Sequence, residues 1–404
     1  MGTAAPIHTD ATTFEKAWIR DTDGWKGGQF IISNTSCRRY VKNTHTKKTY
    51  SQSCKKKKKK ENFGRQELGR CDDSDTLVRS YLFAGTYSTN RQDRDVRQHG
   101  AAAPPLFLYL SHRSTHSALP SAMLQAPKKN IAKFGYIGER NRTIYAGMVD
   151  SMDAAFGRLV EALSDAGVLN NTIVVFSSDN GAVPIIEFPN RGFNWPLRGA
   201  KKTLWEGAVR VPAFVWSPLL ESSGRVSDQM MHIVDWLPTF YSVAGGNLSD
   251  LGEQDGFDMW KALSEGTESP REEMLLNIDP VLNTSSLRYK NHKVVLGTYH
   301  NGSFDHRFKT TGRRPGWRRR ATVRCGKCNL AKDNVKPSSP PYLFDVAADP
   351  CELNNLAQDH PEILRELLKR LEDYATTAVD PENVYEMDAR SFPVHHNGTW
   401  APWL

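Results

Sequence analysis

Two kinds of hydrophobic pattern follow each other in the central part of the chain. Residues 106–110 are a continuous apolar run, which is typical of a strand buried on both faces. Apolar residues then recur every three or four positions over 144–163, which predicts an amphipathic helix that Gly167 ends. The β-branched and aromatic run 172–177 predicts a second buried strand. This strand–helix–strand order predicts two parallel strands in one sheet, and therefore an α/β fold.

The same reasoning predicts further elements downstream. Residues 209–216 read as a strand, and residues 230–244 as a helix that Asp235 caps. Residues 289–298 alternate in a way that indicates sheet, and an amphipathic helix begins at Pro361. The last third of the chain is therefore predicted to be a smaller α+β unit with antiparallel strands.

Three segments differ in composition. Residues 1–86 are rich in Thr, Ser, Lys and Arg, show little periodicity and include six consecutive lysines at 55–60. They are predicted to be atypical, low in complexity and poorly ordered. The lysine run fits a nuclear-localisation or nucleic-acid-binding tail, but a solvated loop or an error in deriving the sequence is favoured. Residues 87–275 are assigned to the α/β domain and residues 276–404 to the smaller carboxyl-terminal domain.

The charge is concentrated in two places. The 404 residues carry a formal net charge of +8, and much of this surplus lies in residues 55–60 and in the arginines of 313–320. The remainder is near neutral, so the overall basicity is weak support for nucleic acid as a partner. An anionic substrate is equally consistent with it.

Cysteines and sequons favour the secretory pathway. The six cysteines permit three disulfides, and the lone pair Cys325 and Cys328 indicates a local or longer-range disulfide rather than a zinc site. Seven Asn-x-Ser/Thr sequons are present, at Asn34, Asn141, Asn170, Asn247, Asn283, Asn301 and Asn397. Residues 1–23 contain no signal peptide, so either the protein is cytosolic or its true beginning is missing, and the second reading is favoured. No run approaches the roughly 20 apolar residues of a membrane-spanning helix.

The strand at 172–177 is followed by Asp179, Asn180 and Gly181. A carboxylate and an amide oxygen at the carboxyl end of a parallel strand lie where ligands bind in open sheets, and they suit calcium or magnesium. The alternative is an Asn-Gly turn that Asp179 caps. Because parallel strands share a carboxyl edge, His116 is predicted to lie on the same side of the sheet as Asp179.

Residues 194–210, which read NWPLRGAKKTLWEGAVR, closely resemble the sulfatase family, and within it the group of arylsulfatase B and its relatives. The resemblance is faint from residue 87 and firm from residue 105 to residue 404. It implies an alkaline-phosphatase-like α/β sandwich with a partial mixed sheet flanked by helices, plus a small carboxyl-terminal α+β domain. It also implies hydrolysis of sulfate esters, with a sulfated glycosaminoglycan or an arylsulfate as substrate, in lysosomes or outside the cell.

The resemblance assigns four site residues. Asp179 and Asn180 match two oxygen ligands of the family's calcium ion, and Lys201 matches the lysine that contacts the substrate sulfate. His116 matches the histidine on the sulfate and leaving-group side, with His112 as a competitor. The segment with His232 and Asp235 matches a packing helix in the family, so these two residues are assigned a structural role.

Part of the family's chemistry is absent from these 404 residues. Its nucleophile is a formylglycine made from the cysteine of Cys-x-Pro-Ser-Arg, and none of the six cysteines stands in that motif. The family's first aspartate pair is also missing, and Asp72-Asp73 does not match it because no apolar strand precedes it. The prediction is that these 404 residues belong to the sulfatase family but do not hydrolyse sulfate esters. The alternatives are a pseudoenzyme that binds sulfated glycans through Lys201, Lys202 and the arginine-rich loop, a nucleic-acid binder, and a related metallophosphoesterase.

Overall fold

The computed structural model describes residues 96–97, 105–112, 114–117, 123–184, 190–308, 323, 325, 340–381 and 388–399, and the backbone of two strands at 29–30 and 77–83. The strands are β1 (Gln29–Phe30), β2 (Leu77–Phe83), β3 (Leu106–His112), β4 (Val174–Ser177), β5 (Ala213–Trp216), β6 (Glu273–Asp279), β7 (Thr284–Tyr289), β8 (His292–Leu296) and β9 (Tyr342–Asp345). The α-helices are α1 (Lys128–Ile131), α2 (Arg140–Asp165), α3 (Glu206–Val209), α4 (Trp236–Val243), α5 (Trp260–Ser264) and α6 (Pro361–Ala375).

Short 3-10 helices complete the described elements. They are Ala132–Ile137, Leu169–Asn171, Ile233–Asp235, Leu248–Leu251, His300–Gly302, Ala389–Ser391 and Pro393–His395. None of the helices in the described ranges is long and apolar enough to cross a lipid bilayer.

The long helix α2 follows the predicted pattern. It begins at a Glu139 N-cap, whose carboxylate accepts the backbone N–H groups of Asn141 and Arg142. Gly167 lies just past its end with a φ of +69°, a conformation that glycine adopts without steric cost. Leu159 and Leu163 pack against Val174 of β4 and its neighbours. The predicted helix and the predicted strand after it are both confirmed.

The strand pairing differs from the prediction. β3 pairs in parallel with β2, whereas β4 pairs with β5 antiparallel in a separate three-stranded sheet of order β1-β5-β4. The prediction that 106–110 and 172–177 lie in one sheet is therefore wrong at the level of hydrogen bonding. Both strands nevertheless pack on α2, because Leu106 and Leu108 join the cluster around Leu159 and Val174. Hydrophobic periodicity identifies a strand, but contacts between residues far apart in the sequence determine which strand it pairs with.

Residues 1–86 contribute two strands that the local pattern did not predict. β1 joins the edge of the β5-β4 sheet, and β2 is the partner of β3 along its whole length. The lysine run at 55–60 lies outside the described residues.

The carboxyl-terminal sheet is antiparallel, with the order β6-β7-β8-β9. Helix α6 covers it, and Leu367 and Leu371 pack against Leu287, Val294 and Leu343 in a buried cluster. The predicted antiparallel sheet and helix are both present. The predicted boundary at residue 275 falls inside β6, and the division into three domains stays a prediction.

Asp235 has a wider role than helix capping. It is completely buried, and its carboxylate accepts the backbone N–H groups of His232 and Phe257. The same carboxylate forms an ion pair with Arg271, with 2.6 Å between Asp235 Oδ1 and a guanidinium nitrogen. Burial lowers the pKa of His232 to about 4. These contacts join α4 to the segment before β6, in agreement with the structural role assigned to His232 and Asp235.

Candidate functional site

The loop after β4 holds the predicted metal ligands Asp179 and Asn180. Asp179 is exposed, and its Oδ1 accepts the backbone N–H of Asn180 at 2.9 Å. Asn180 donates its own amide Nδ2 to the Gly181 carbonyl at 2.9 Å. Both bonds are local, as the alternative reading of an Asn-Gly turn also predicts.

Two glycines allow this loop to contact helix α3 closely. The Gly181 N–H donates to the Ala208 carbonyl at 2.8 Å, and a Cβ on Gly181 would lie 1.9 Å from the Gly207 carbonyl oxygen. The Gly207 N–H donates to the Arg198 carbonyl at 2.6 Å, and a Cβ there would lie 2.4 Å from that oxygen. Helix α3 thus contacts the Asp179 loop on one side and the loop of Arg198 on the other.

Asn194 joins the same two loops through its side chain. Its Oδ1 accepts the Ala182 N–H at 2.8 Å, and its Nδ2 donates to the carbonyls of Ala182 at 3.0 Å and Gly199 at 3.1 Å. Only 1% of Asn194 is exposed, so these three bonds take the place of water for its side-chain amide.

Lys201, two residues after Gly199, is the predicted sulfate-binding residue. Its backbone N–H donates to the Ala182 carbonyl at 3.2 Å, which places it beside the Asp179 loop. The residue is half-buried, and its ammonium has no hydrogen bond or ion pair to the described residues. Its neighbour Lys202 is exposed, has a φ of +83° and lies with its ammonium 5.2 Å from the centre of the Tyr299 ring.

Residues 299–308 brace the Lys201 loop from the carboxyl-terminal side. The Gly199 N–H donates to the His306 carbonyl at 3.0 Å, and Ala200 packs against Phe304 and Phe308. The Arg307 guanidinium lies 5.3 Å from the centre of the Trp195 ring. Burial raises the pKa of Asp305, against the opposing effects of Trp205 and Arg198.

His116 is connected to this cluster less directly. It is exposed, with Nδ1 2.6 Å from the Ser117 carbonyl oxygen. The adjacent Thr115 donates its hydroxyl to the Tyr145 hydroxyl at 3.2 Å. A Cβ on Gly192 would lie 3.3 Å from the same hydroxyl and 2.4 Å from the Ala182 Cβ, so Gly192 lies close to both Tyr145 and Ala182.

The competitor His112 is engaged elsewhere. Its Nδ1 accepts the Ser114 N–H at 3.1 Å, and burial lowers its pKa. The contacts therefore bring Asp179, Asn180 and Lys201 into one loop cluster and join His116 to it through Thr115 and Tyr145. The roles of all four residues stay predictions.

The metal donor set is incomplete in the described part of the chain. No group of three His, Cys, Asp or Glu side chains there converges as a metal cage. Asp179 and Asn180 supply two oxygen-bearing side chains, whereas calcium takes six to eight oxygen ligands. Two such side chains are too few to hold a calcium ion by themselves.

Two residues that organise the site are not conspicuous in the sequence. Asn194 is the first residue of the motif 194–210, and Tyr145 is one of the residues of the predicted helix. A polar residue with obligatory buried bonds looks like any loop residue in a sequence. The only signal for Asn194 was its place in the motif, and Tyr145 had none.

Comparison with known proteins places the chain in a family. The sulfatase family profile matches residues 13–246 and so begins well before residue 87, where the resemblance was first noted. Mouse arylsulfatase J is 35% identical over 342 residues, covering 79% of this chain and 54% of the relative. Human arylsulfatase A is 28% identical over 288 residues, covering 68% of this chain and 50% of the relative. The chain spans about half the length of the curated relatives it matches.

Solved structures agree at the level of the fold. Ps i-CgsB in complex with k-i-k-neocarrahexaose superposes with a TM-score of 0.57 at 22% identity, covering 76% of this chain and 58% of that one. The PsFucS1 sulfatase from Pseudoalteromonas sp. superposes with a TM-score of 0.50 at 20% identity, covering 72% and 52%. The predicted alkaline-phosphatase-like α/β fold is confirmed, while special closeness to arylsulfatase B stays a prediction. The chain belongs to the sulfatase family, whose members are sulfuric ester hydrolases.

Proposed function

We propose that this chain binds the sulfate group of a sulfated glycosaminoglycan or an arylsulfate at Lys201, and that the 404 residues bind this group without hydrolysing it. The observation that carries the proposal is Lys201, a half-buried residue whose ammonium has no partner among the described residues and whose backbone N–H is bonded to Ala182, at the end of the Asp179 loop.

An ammonium without a counter-charge among the described residues favours an anionic ligand. A sulfate oxygen gives it a charge-assisted hydrogen bond. The backbone of Lys201 is fixed through Ala182, and that of Gly199 through His306, so little loop ordering is needed on binding.

Asp179 and Asn180 remain candidates for two of the oxygen ligands of a calcium ion. An exposed carboxylate beside an anion site is unfavourable unless a cation lies between them, which supports this assignment. His116 remains the candidate for the leaving-group side of the ligand. Its exposed ring and its connection through Tyr145 support that position.

The lack of hydrolysis follows from the absent nucleophile. No cysteine of the sequence lies in Cys-x-Pro-Ser-Arg, and Cys325 and Cys351 form a disulfide in the structure. Without a group that attacks sulfur, an ammonium can bind the ester but cannot open a path to its cleavage.

A second candidate is a pseudoenzyme that binds extended sulfated glycans through Lys201, Lys202 and residues 313–320. The exposure of Lys202 favours it, while residues 313–320 lie outside the described part of the chain. A polyanion bound by several cations depends steeply on salt, whereas a single sulfate bound by Lys201 depends on it weakly.

A lysosomal or secreted location is part of the proposal. The sequon asparagines Asn170, Asn247, Asn283, Asn301 and Asn397 are exposed. The disulfide between Cys325 and Cys351 is typical of an oxidising compartment.

The test is a titration of the protein with 4-nitrophenyl sulfate and with a sulfated chondroitin tetrasaccharide, each beside its unsulfated counterpart. Nitrophenol release is followed in parallel. Saturable binding of the sulfated probes with no release supports the proposal. Equal binding of the unsulfated probes, or steady release of nitrophenol, refutes it.

A further inference from the structure

We propose that Lys293 and Glu352, which lie on the carboxyl-terminal side of the molecule, are positioning residues for the sulfate site and act on it through Glu206. This inference rests on the proposed function above, and it assigns the carboxyl-terminal sheet a role in holding the Lys201 loop.

The three side chains form a buried ionic cluster. The Lys293 Nζ lies 2.9 Å from Glu206 Oε1 and 2.8 Å from Glu352 Oε1. The exposed fraction is 0% for the side chains of Lys293 and Glu352 and 4% for that of Glu206. The second oxygen of Glu352 accepts the backbone N–H of Glu206 at 2.7 Å. Glu206 is thus held at both its side chain and its backbone by residues far away in the sequence.

Glu206 begins α3, which contacts both loops of the site. The next residue, Gly207, donates to the Arg198 carbonyl at 2.6 Å, three residues before Lys201. Ala208 accepts the Gly181 N–H at 2.8 Å, two residues after Asp179. A shift of α3 therefore displaces the Asp179 loop and the Lys201 loop together.

The charges around the cluster make its geometry specific. One ammonium lies between two carboxylates. An Arg210 guanidinium nitrogen lies 4.0 Å from the Glu206 carboxylate, and the positive charge of Arg288 also stabilises that carboxylate. Burial opposes the charge of both carboxyl groups, and Lys293 opposes that effect. The net result is a lowered pKa for Glu206. The pKa of Glu352 is raised to about 7, because burial and the negative charge of Glu206 both disfavour its ionised form. Removing Glu352 leaves the buried backbone N–H of Glu206 without its acceptor and Lys293 with one carboxylate instead of two, so the remaining groups must rearrange.

The position of Glu352 is restrained by a disulfide at the preceding residue, Cys351. Cys351 is completely buried and forms the disulfide with Cys325. Glu352 adopts a φ of +53°, and its backbone N–H donates to the Asp349 carbonyl at 3.1 Å. The carboxylate is therefore presented to α3 by a constrained turn rather than by a freely moving loop.

Two variants at position 352 test the proposal. Glu352→Leu removes both contacts, whereas Glu352→Gln keeps the shape and one acceptor oxygen. The control is Glu273→Gln on β6, whose carboxylate binds Arg370 at 2.7 Å and Tyr374 at 2.9 Å, both on α6, and makes no hydrogen bond or ion pair to the site loops in the described part of the chain. Each protein is measured by thermal unfolding, by its dissociation constant for 4-nitrophenyl sulfate and by amide hydrogen exchange of peptides covering 179–182, 198–208 and 361–375.

The expected result separates positioning from general stability. At a temperature where all variants are folded, Glu352→Leu weakens probe binding by roughly tenfold or more, Glu352→Gln weakens it less, and the control leaves it within about twofold. Exchange at 179–182 and 198–208 speeds up in Glu352→Leu while α6 is unchanged. Unchanged binding and unchanged exchange in folded Glu352→Leu overturn the proposal, as does an equal loss of binding in the control at a matched melting temperature.

The exchange measurement keeps this inference distinct from the proposed function. If the parent protein binds no sulfated probe, the proposed function fails. Faster exchange of the two loops in Glu352→Leu then still supports positioning by Glu352, and unchanged exchange overturns it.

Discussion

Asn194 and Ala182 exchange two hydrogen bonds, since the side-chain oxygen of Asn194 accepts the Ala182 N–H at 2.8 Å and its amide donates to the Ala182 carbonyl at 3.0 Å. Ala182 also accepts the Lys201 N–H. The buried Asn194 side chain thus pairs with the Ala182 backbone as a neighbouring strand would, and it sets the spacing between the Asp179 loop and the Lys201 loop. The site geometry depends on this pair more directly than on any sheet edge.

Replacing Asn194 tests that dependence. Asn194→Ala leaves the Ala182 N–H and the buried Gly199 carbonyl without this partner, and each buried polar group left unpaired costs about 1–3 kcal/mol. We expect the free energy of unfolding to fall by at least about 2 kcal/mol in chemical denaturation.

The matched control is Asn247→Ala. Asn247 accepts the Ser249 N–H at 3.2 Å on an exposed turn, so its loss is expected to cost below about 1 kcal/mol. Equal effects of the two substitutions would contradict the role given to Asn194.

The glycine contact between the Asp179 loop and α3 predicts a steric effect. Gly181→Ala places a Cβ 1.9 Å from the Gly207 carbonyl oxygen, so the backbone must shift, at a cost of about 1–3 kcal/mol. Gly157→Ala on α2 meets no atom within 4 Å and is expected to stabilise the helix by about 0.5–1 kcal/mol. Melting temperatures that move in opposite directions support the described contact, and an unchanged value for Gly181→Ala contradicts it.

Glu352 predicts a defined pH dependence of stability. Its pKa is raised from 4.5 to about 7 in the folded protein, chiefly by burial, so between these pH values the folded state binds more protons than the unfolded state. This carboxyl group therefore contributes less stability as pH rises through that window. In Glu352→Gln the contribution is absent, so the stability of the variant relative to the parent should increase from about pH 5 to about pH 7 in urea titrations. A relative decrease over that range would show that the pKa of Glu352 is not raised.

The disulfide predicts sensitivity to reductant. Cys325 and Cys351 are 26 residues apart, and a cross-link of that span stabilises by about 3 kcal/mol through the unfolded chain. We expect dithiothreitol to lower the melting temperature of the parent and to have no such effect on the double variant Cys325→Ser/Cys351→Ser. A reductant effect that persists in the double variant would assign it to another cysteine.

The elements that could be predicted are those with strong local periodicity. Helix α2, strand β4 and helix α6 each carry their apolar pattern within one segment, so the hydrophobic period determines them. The partners of β3 and β4 could not be predicted in this way, because β2 and β5 are chosen by long-range pairing.

The site was predictable to the extent that it lies in a contiguous motif. Asp179, Asn180 and Lys201 were found from a strand end and a motif with a clear resemblance, and the structure places them in one loop cluster. The buried groups that hold this cluster come from elsewhere: Tyr145 from α2, Lys293 from β8 and Glu352 from the turn after β9. Each is an ordinary residue in its own segment and becomes informative only through its tertiary contact.

The central claim is that the Lys201 ammonium binds the sulfate, and the most direct measurement compares dissociation constants for 4-nitrophenyl sulfate in Lys201→Ala and Lys290→Ala. Lys290 is exposed on the β7-β8 turn, so its removal changes the net charge equally without touching the site. We predict a loss of affinity of roughly tenfold or more for Lys201→Ala and less than about twofold for Lys290→Ala, because a direct charge-assisted hydrogen bond outweighs a distant charge that solvent and salt screen. Equal, small effects of the two substitutions would contradict the account.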